Sequence, residues 1–114
     1  MIMDSYQRVA RKTVIYPRKQ MIIYPALGLA GEAGEVCEKV KKYLRGDYDV
    51  PYRPSQSKDV LADKVEEELG DVLWYIANLA TDLGLSLDNI AAKNLAKLHD
   101  RKERNVLQGD GDDR

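Results

Sequence analysis

The sequence predicts an all-α fold, a four-helix bundle-like domain, and three observations predict it. Apolar residues recur at helical spacing through three long stretches. Capping residues, prolines and glycines punctuate those stretches where helices begin and end. No strand-like alternation or internal repeat stands out, and the links between the later helices are short.

Asp4 or Ser5 can cap a first short helix, roughly Tyr6 to Thr13, with Val9 and Ala10 inward. Val14 to Tyr24 mixes β-branched residues with Tyr16-Pro17 and the basic pair Arg18-Lys19. Tyr24-Pro25 marks the next helix start, because proline suits a first turn and its predecessor avoids the α region. That second helix is expected from about Ala26 to Arg45, ending at Gly46 as a left-handed terminator. Its apolar stripe is Leu29, Ala30, Ala33, Val36, Cys37, Val40 and Leu44. Asp47 to Ser57, with Pro51, Pro54, Tyr48 and Tyr52, reads as an ordered connector or as one wall of a binding site. Ser57 or Asp59 can cap the third helix, which runs to about Leu83 and breaks at Gly84. Leu61, Val65, Leu69, Val72, Leu73, Ile76, Leu79, Ala80 and Leu83 form its stripe. Ser86 caps a fourth helix, about Leu87 to Arg104, with Ile90, Ala91, Leu95 and Leu98 inward. From Asn105 the apolar pattern stops. The domain is therefore expected over 1–104, with a flexible tail over 105–114.

Across 114 residues the chain carries 18 basic and 19 acidic side chains, so no global field draws it to nucleic acid or an anionic membrane. No run approaches the roughly 18 apolar residues of a membrane span. The single cysteine, Cys37, precludes an internal disulfide and falls on an apolar stripe, where it is expected to pack. The profile is that of a soluble, cytoplasmic domain.

The second helix carries Glu32 and Glu35 one turn apart on the flank of its stripe, with Glu38 a turn further. In the third helix Glu67 points to solvent, whereas Glu68 flanks the stripe and Asp71 follows one turn on. Tyr75, Asn78 and Asp82 continue that side. Two helices thus offer acidic pairs at i, i+3, EAGE and ELGD, bordering faces expected to meet. Carboxylates pressed together at the edge of a core repel, and a hard divalent cation removes that cost. With no His or Cys among them, the donors favour Mg²⁺ or Mn²⁺. Gly31, Gly34 and Gly70 sit among the carboxylates, implying close backbone approach or room for a ligand. The bland reading of either pair alone is a solvated face laced with Lys39, Lys41 and Lys42.

The fourth helix supplies the opposite sign, with Asn94, Lys97 and Arg101 on one flank and Lys93 and Arg104 nearby. Such a row can hold phosphate oxygens, or simply favour the helix dipole. His99 reads as a surface residue. Trp74, opposite the third helix's stripe and beside Tyr75, points to a second packing surface and hence an oligomer.

These residues resemble the MazG-like all-α nucleoside triphosphate pyrophosphohydrolase superfamily, whose signature is ExxE followed one helix later by ExxD. Here it stands as Glu32-Ala-Gly-Glu35 and Glu68-Leu-Gly-Asp71, within YPALGLAGEAGEV, EELGDVLWYIANLA and KNLAKLHDRK. The resemblance implies Mg²⁺-dependent cleavage of a nucleoside triphosphate to its monophosphate and pyrophosphate. It implies Glu32, Glu35, Glu68 and Asp71 as metal ligands, with one of them or Glu38 orienting water. It also implies Lys97 and Arg101 as phosphate contacts, Asn94 as a sugar or base contact, and a homodimer or homotetramer. A phosphoribosyl-ATP pyrophosphatase shares that chemistry, and a non-catalytic helical interaction module would keep the acidic faces without turnover. The tail could fold over a phosphate through Arg114 or remain disordered.

Overall fold

The computed structural model describes residues 2–114, so Met1, the first residue of the expected domain, lies outside the described residues. Four α-helices follow one another: α1 Met3–Arg11, α2 Ile23–Leu44, α3 Pro54–Asp82 and α4 Leu87–Glu103, with a 3-10 turn at Arg18–Gln20. Among the described residues there is no strand, and no helix is long and apolar enough to cross a membrane. The all-α expectation holds.

Helix ends follow local chemistry. At the end of α2, Gly46 takes φ +90 and the Asp47 N–H reaches the Lys42 carbonyl at 3.0 Å. Gly84 repeats the arrangement after α3 with φ +70, the Leu85 N–H bonding the Ala80 carbonyl at 2.8 Å. Both are the turns that a residue without a Cβ permits. Asn105 does the same after α4, with φ +63 and the Val106 N–H on the Arg101 carbonyl. Ser86 caps α4 as expected, its Oγ accepting the Asn89 N–H.

Three expected helix starts shift, and α2 begins at Ile23 rather than about Ala26, which puts Pro25 inside its first turn. Helix α3 begins at Pro54, three residues before Ser57, because proline's fixed φ suits the first helical position. Ser57 is buried and its Oγ accepts the Val50 N–H at 3.1 Å, tying down the connector rather than capping the helix. Helix α1 begins at Met3, and Asp4 reaches across to the start of α4. There its carboxylate accepts from Ser86 Oγ at 2.8 Å and from the Asp88 N–H at 3.0 Å.

Helices α2 and α3 form the main packed pair, with α1 lying on α3 and touching the start of α4. Ala10, Ala77, Ala80 and Leu87 make the small buried core, flanked by Tyr6, Trp74 and Ile76. Gln7 stitches this junction. Its amide donates to Thr81 Oγ1 and to the Leu85 carbonyl, and its oxygen accepts the Leu87 N–H. Trp74, expected to face outward, is instead half-buried against α1 and donates its indole N–H to Thr13 at 2.7 Å.

The expected inward face of α4 is not covered. Residues 92–100 are all exposed, Leu95 and Leu98 included, and Ile90 is also exposed. Cys37, expected in the core, is exposed as well. The chain is accordingly open: its radius of gyration is 17.7 Å, against about 13 Å for a compact domain of this length.

Candidate metal centre

Packing of α2 on α3 sets the acidic residues face to face. Glu32, Glu68 and Asp71 each bring one carboxylate oxygen within 4.8 Å of the others. Glu32 and Glu68 are half-buried and Asp71 is exposed, so the cluster sits at the rim of the helix pair. The Glu32 carboxyl is pushed above its ordinary value, first by burial and then by the charges of Asp71 and Glu68. The only ion pair found to a member of this trio, among the described residues, is Lys39 Nζ to Glu68 at 3.6 Å. The repulsion is therefore mostly uncompensated by the chain itself.

The other expected ligand, Glu35, is exposed and outside the trio. Glu38 is held by Lys41 at 2.9 Å, which keeps its carboxyl below the usual range. Thus the i, i+3 partner converges on α3 but not on α2. Position 32 is turned toward α3, while position 35 lies beyond the contact.

Aromatic side chains border the cluster. Burial, then Tyr24, then the charges of Glu32 and Asp71 raise the Tyr75 phenol; burial and Asp71 raise that of Tyr6. Tyr24 stacks on Tyr16 with ring centroids 4.9 Å apart and lies 6.4 Å from Tyr75. Tyr6 and Tyr16 were not singled out from sequence, since both lie before the long periodic stretches. Of the connector tyrosines, Tyr48 receives Lys64 over its ring at 5.2 Å, and Tyr52 is exposed.

The α4 residues form a separate group. Asn94 and Lys97 line an open concavity of about 330 Å³ with Ile90 and Lys93. Arg101 is buried beneath the segment that follows α4, where it meets Asp112. Among the described residues, no ion pair joins an α4 cation to the acidic trio. His99 is exposed, as expected.

What the trio can do is bind a hard cation: three oxygen donors converge, burial and the neighbouring carboxylates oppose leaving Glu32 charged, and no soft ligand intrudes.

The profile of the MazG nucleotide pyrophosphohydrolase domain matches residues 24–106. The "Gene 37 protein" of Mycobacterium phage L5 is 42% identical over 120 residues, spanning all of both chains. No solved structure matches. Residues 24–106 hold the acidic trio, the glycines around it and the basic face of α4, and by that match the chain belongs to the MazG nucleotide pyrophosphohydrolase domain family.

Proposed function

We propose that this protein is a Mg²⁺-dependent pyrophosphohydrolase that converts a nucleoside triphosphate, ribo or deoxy, to its monophosphate and pyrophosphate. The observation that carries the reading is the convergence of Glu32, Glu68 and Asp71 on one point without sufficient cationic partners. These three fit Mg²⁺ by donor type, and Mn²⁺ is the natural substitute. Glu35, one turn along α2 from Glu32, is suited to join them through a water. When bound, the ion neutralises and polarises phosphate oxygens. The chain's own carboxylates hold it there, and Glu35 or Glu38 is suited to orient the attacking water. Lys97 and Arg101 provide charge for the remaining phosphates, and Asn94 provides hydrogen bonds to sugar or base. A nucleoside triphosphate substrate suits a cytoplasmic protein.

Among the described residues no ion pair joins the acidic trio to an α4 cation, and the open shape leaves apolar faces uncovered. Both features support a homodimer or homotetramer as the working unit. The test is pyrophosphate release from a panel of ribo- and deoxynucleoside triphosphates, with Mg²⁺ and with chelator, for wild type and Glu32→Gln. Metal-dependent release lost in the variant supports the reading. Silence across the panel, with turnover of phosphoribosyl-ATP, would move the substrate; silence there too would leave a binding module.

A further inference from the structure

Arg101 is the one buried residue in the second half of α4, at 4% exposure, while every residue of 92–100 is exposed. What covers it is the segment 106–114. Arg101 Nη2 donates to the Asp112 carbonyl at 2.7 Å, and the Asp112 carboxylate lies 3.6 Å from Arg101 and 3.5 Å from Lys97. The segment is folded for this contact. Gly109 and Gly111 take φ of +142 and +79, which reverses the chain. The Arg114 guanidinium then donates to the carbonyls of Val106, Leu107 and Gly111, and Arg104 donates to the Arg114 carbonyl. The result is a closed loop that presents one carboxylate to two cations.

We propose that Asp112 is an intramolecular stand-in for phosphate on the Lys97–Arg101 pair, and that an incoming polyphosphate must displace the 106–114 segment to reach it. This rests on the phosphate role given to Lys97 and Arg101 above. Asp112 is 88% exposed and its ion pairs are long, so each is individually weak and screened by salt. A triphosphate, with several charges along one chain, competes well against a single carboxylate. A monophosphate competes poorly, so the returning segment would favour release of the product over its rebinding. The segment thereby acts as a gate that discriminates by the number of phosphates.

Inorganic tripolyphosphate is the probe, titrated calorimetrically at low salt without divalent ions. Wild type, Asp112→Asn and a chain lacking residues 106–114 are compared, with the Gly109 and Gly111 amide signals followed by NMR in wild type. Both variants are expected to bind roughly three- to tenfold more tightly, and the two glycine signals to move as wild type saturates. Equal or weaker binding by both variants overturns the proposal, as do unmoved glycine signals at saturation or an absence of binding by all three proteins. Hydrolysis plays no part in these readouts. A protein that passes them yet releases no pyrophosphate refutes the proposed function and leaves the gate intact.

Discussion

The ring of Tyr75 on α3 lies where a side chain at Gly28 of α2 would stand; a Cβ built there overlaps the ring carbons. This close approach brings the two helices together one turn before Glu32 and fixes an aromatic side chain next to the acidic trio. Gly28→Ala is therefore expected to push Tyr75 aside. Overpacking costs about 1–3 kcal/mol, against roughly 1 kcal/mol regained by replacing a helical glycine. Gly70→Ala is the control, because nothing lies within 4 Å of its added methyl group. Urea unfolding of the metal-free proteins should rank Gly28→Ala below wild type and Gly70→Ala at or above it.

Glu32 gives the stability of the metal-free protein a pH dependence whose sign can be worked out. Burial, followed by Asp71 and Glu68, raises its carboxyl above the ordinary 4.5, so the folded state holds the proton longer than the unfolded state. Stability is then expected to fall as pH rises from about that ordinary value through the raised one, and to level off above it. Glu32→Gln should remove this decline. Saturating Mg²⁺ should oppose it in wild type, since a ligand at 100 times its Kd adds about 2.7 kcal/mol. Thermal melts from pH 4 to 8, with and without Mg²⁺, check both. A wild-type melt indifferent to Mg²⁺ would count against the metal centre.

Asp82 has the opposite sign. Its side chain is fully buried, which alone would raise its carboxyl. The Ile22 N–H at 2.8 Å, Arg11 at 2.6 Å and the Tyr16 hydroxyl at 2.9 Å together hold it below 3.8. Its contribution is complete above that value and is lost as pH falls through the lowered one. The same carboxylate clamps a strained turn. Ile22, a β-branched residue, sits at φ +70 and ψ −57 immediately before α2, a conformation costing about 1–3 kcal/mol. Asp82→Asn is expected to lose roughly 2–3 kcal/mol near neutral pH. Ile22→Gly should recover part of that loss, and a double-mutant cycle by urea unfolding measures the coupling.

Periodicity and punctuation revealed the helices because both are local. Gly46, Gly84 and Ser86 end or begin helices by geometry that a few neighbouring residues determine. Glu68 was legible for the same reason, since the wheel of α3 sets it on the stripe's flank and Glu67 opposite, and Asp71 was reached by its i, i+3 spacing from Glu68. What failed was any inference needing a partner element. Asp4 looks like a cap for its own helix, but the opposing turn of α4 offers two donors. Trp74 looks outward only until α1 folds over it. Glu32 and Glu35 share an i, i+3 spacing but differ by about 60° round the helix, and only Glu32 lies on the side that α3 meets. The aromatic rim contributed by Tyr6 and Tyr16 is equally non-local and left no periodic trace.

The stripe expected on α2 is split between two faces: Leu29 and Val36 are half-buried, whereas Ala30, Ala33, Cys37, Val40 and Leu44 are exposed. Ile23, Ala26, Ala30, Ala33, Cys37, Val40 and Leu44 are spaced alternately three and four apart, and all are exposed. Such spacing is the seam of a helix packed lengthwise on another helix, yet α3 packs on the neighbouring face that holds Glu32, Val36 and Lys39. A second copy of the chain would cover this seam along with Leu95 and Leu98 of α4. Val40→Glu places a charge in the C-terminal part of the seam without touching the acidic trio or the Asp82 clamp. Wild type is expected to scatter light as a multiple of 12.9 kDa, and the variant to fall toward a single chain with a lower melting temperature. Alkylation of Cys37 reports the same event, slow in the assembled protein and fast in the variant. A wild type that runs as one chain with a freely reactive Cys37 would leave the seam without an occupant and sink the oligomeric reading.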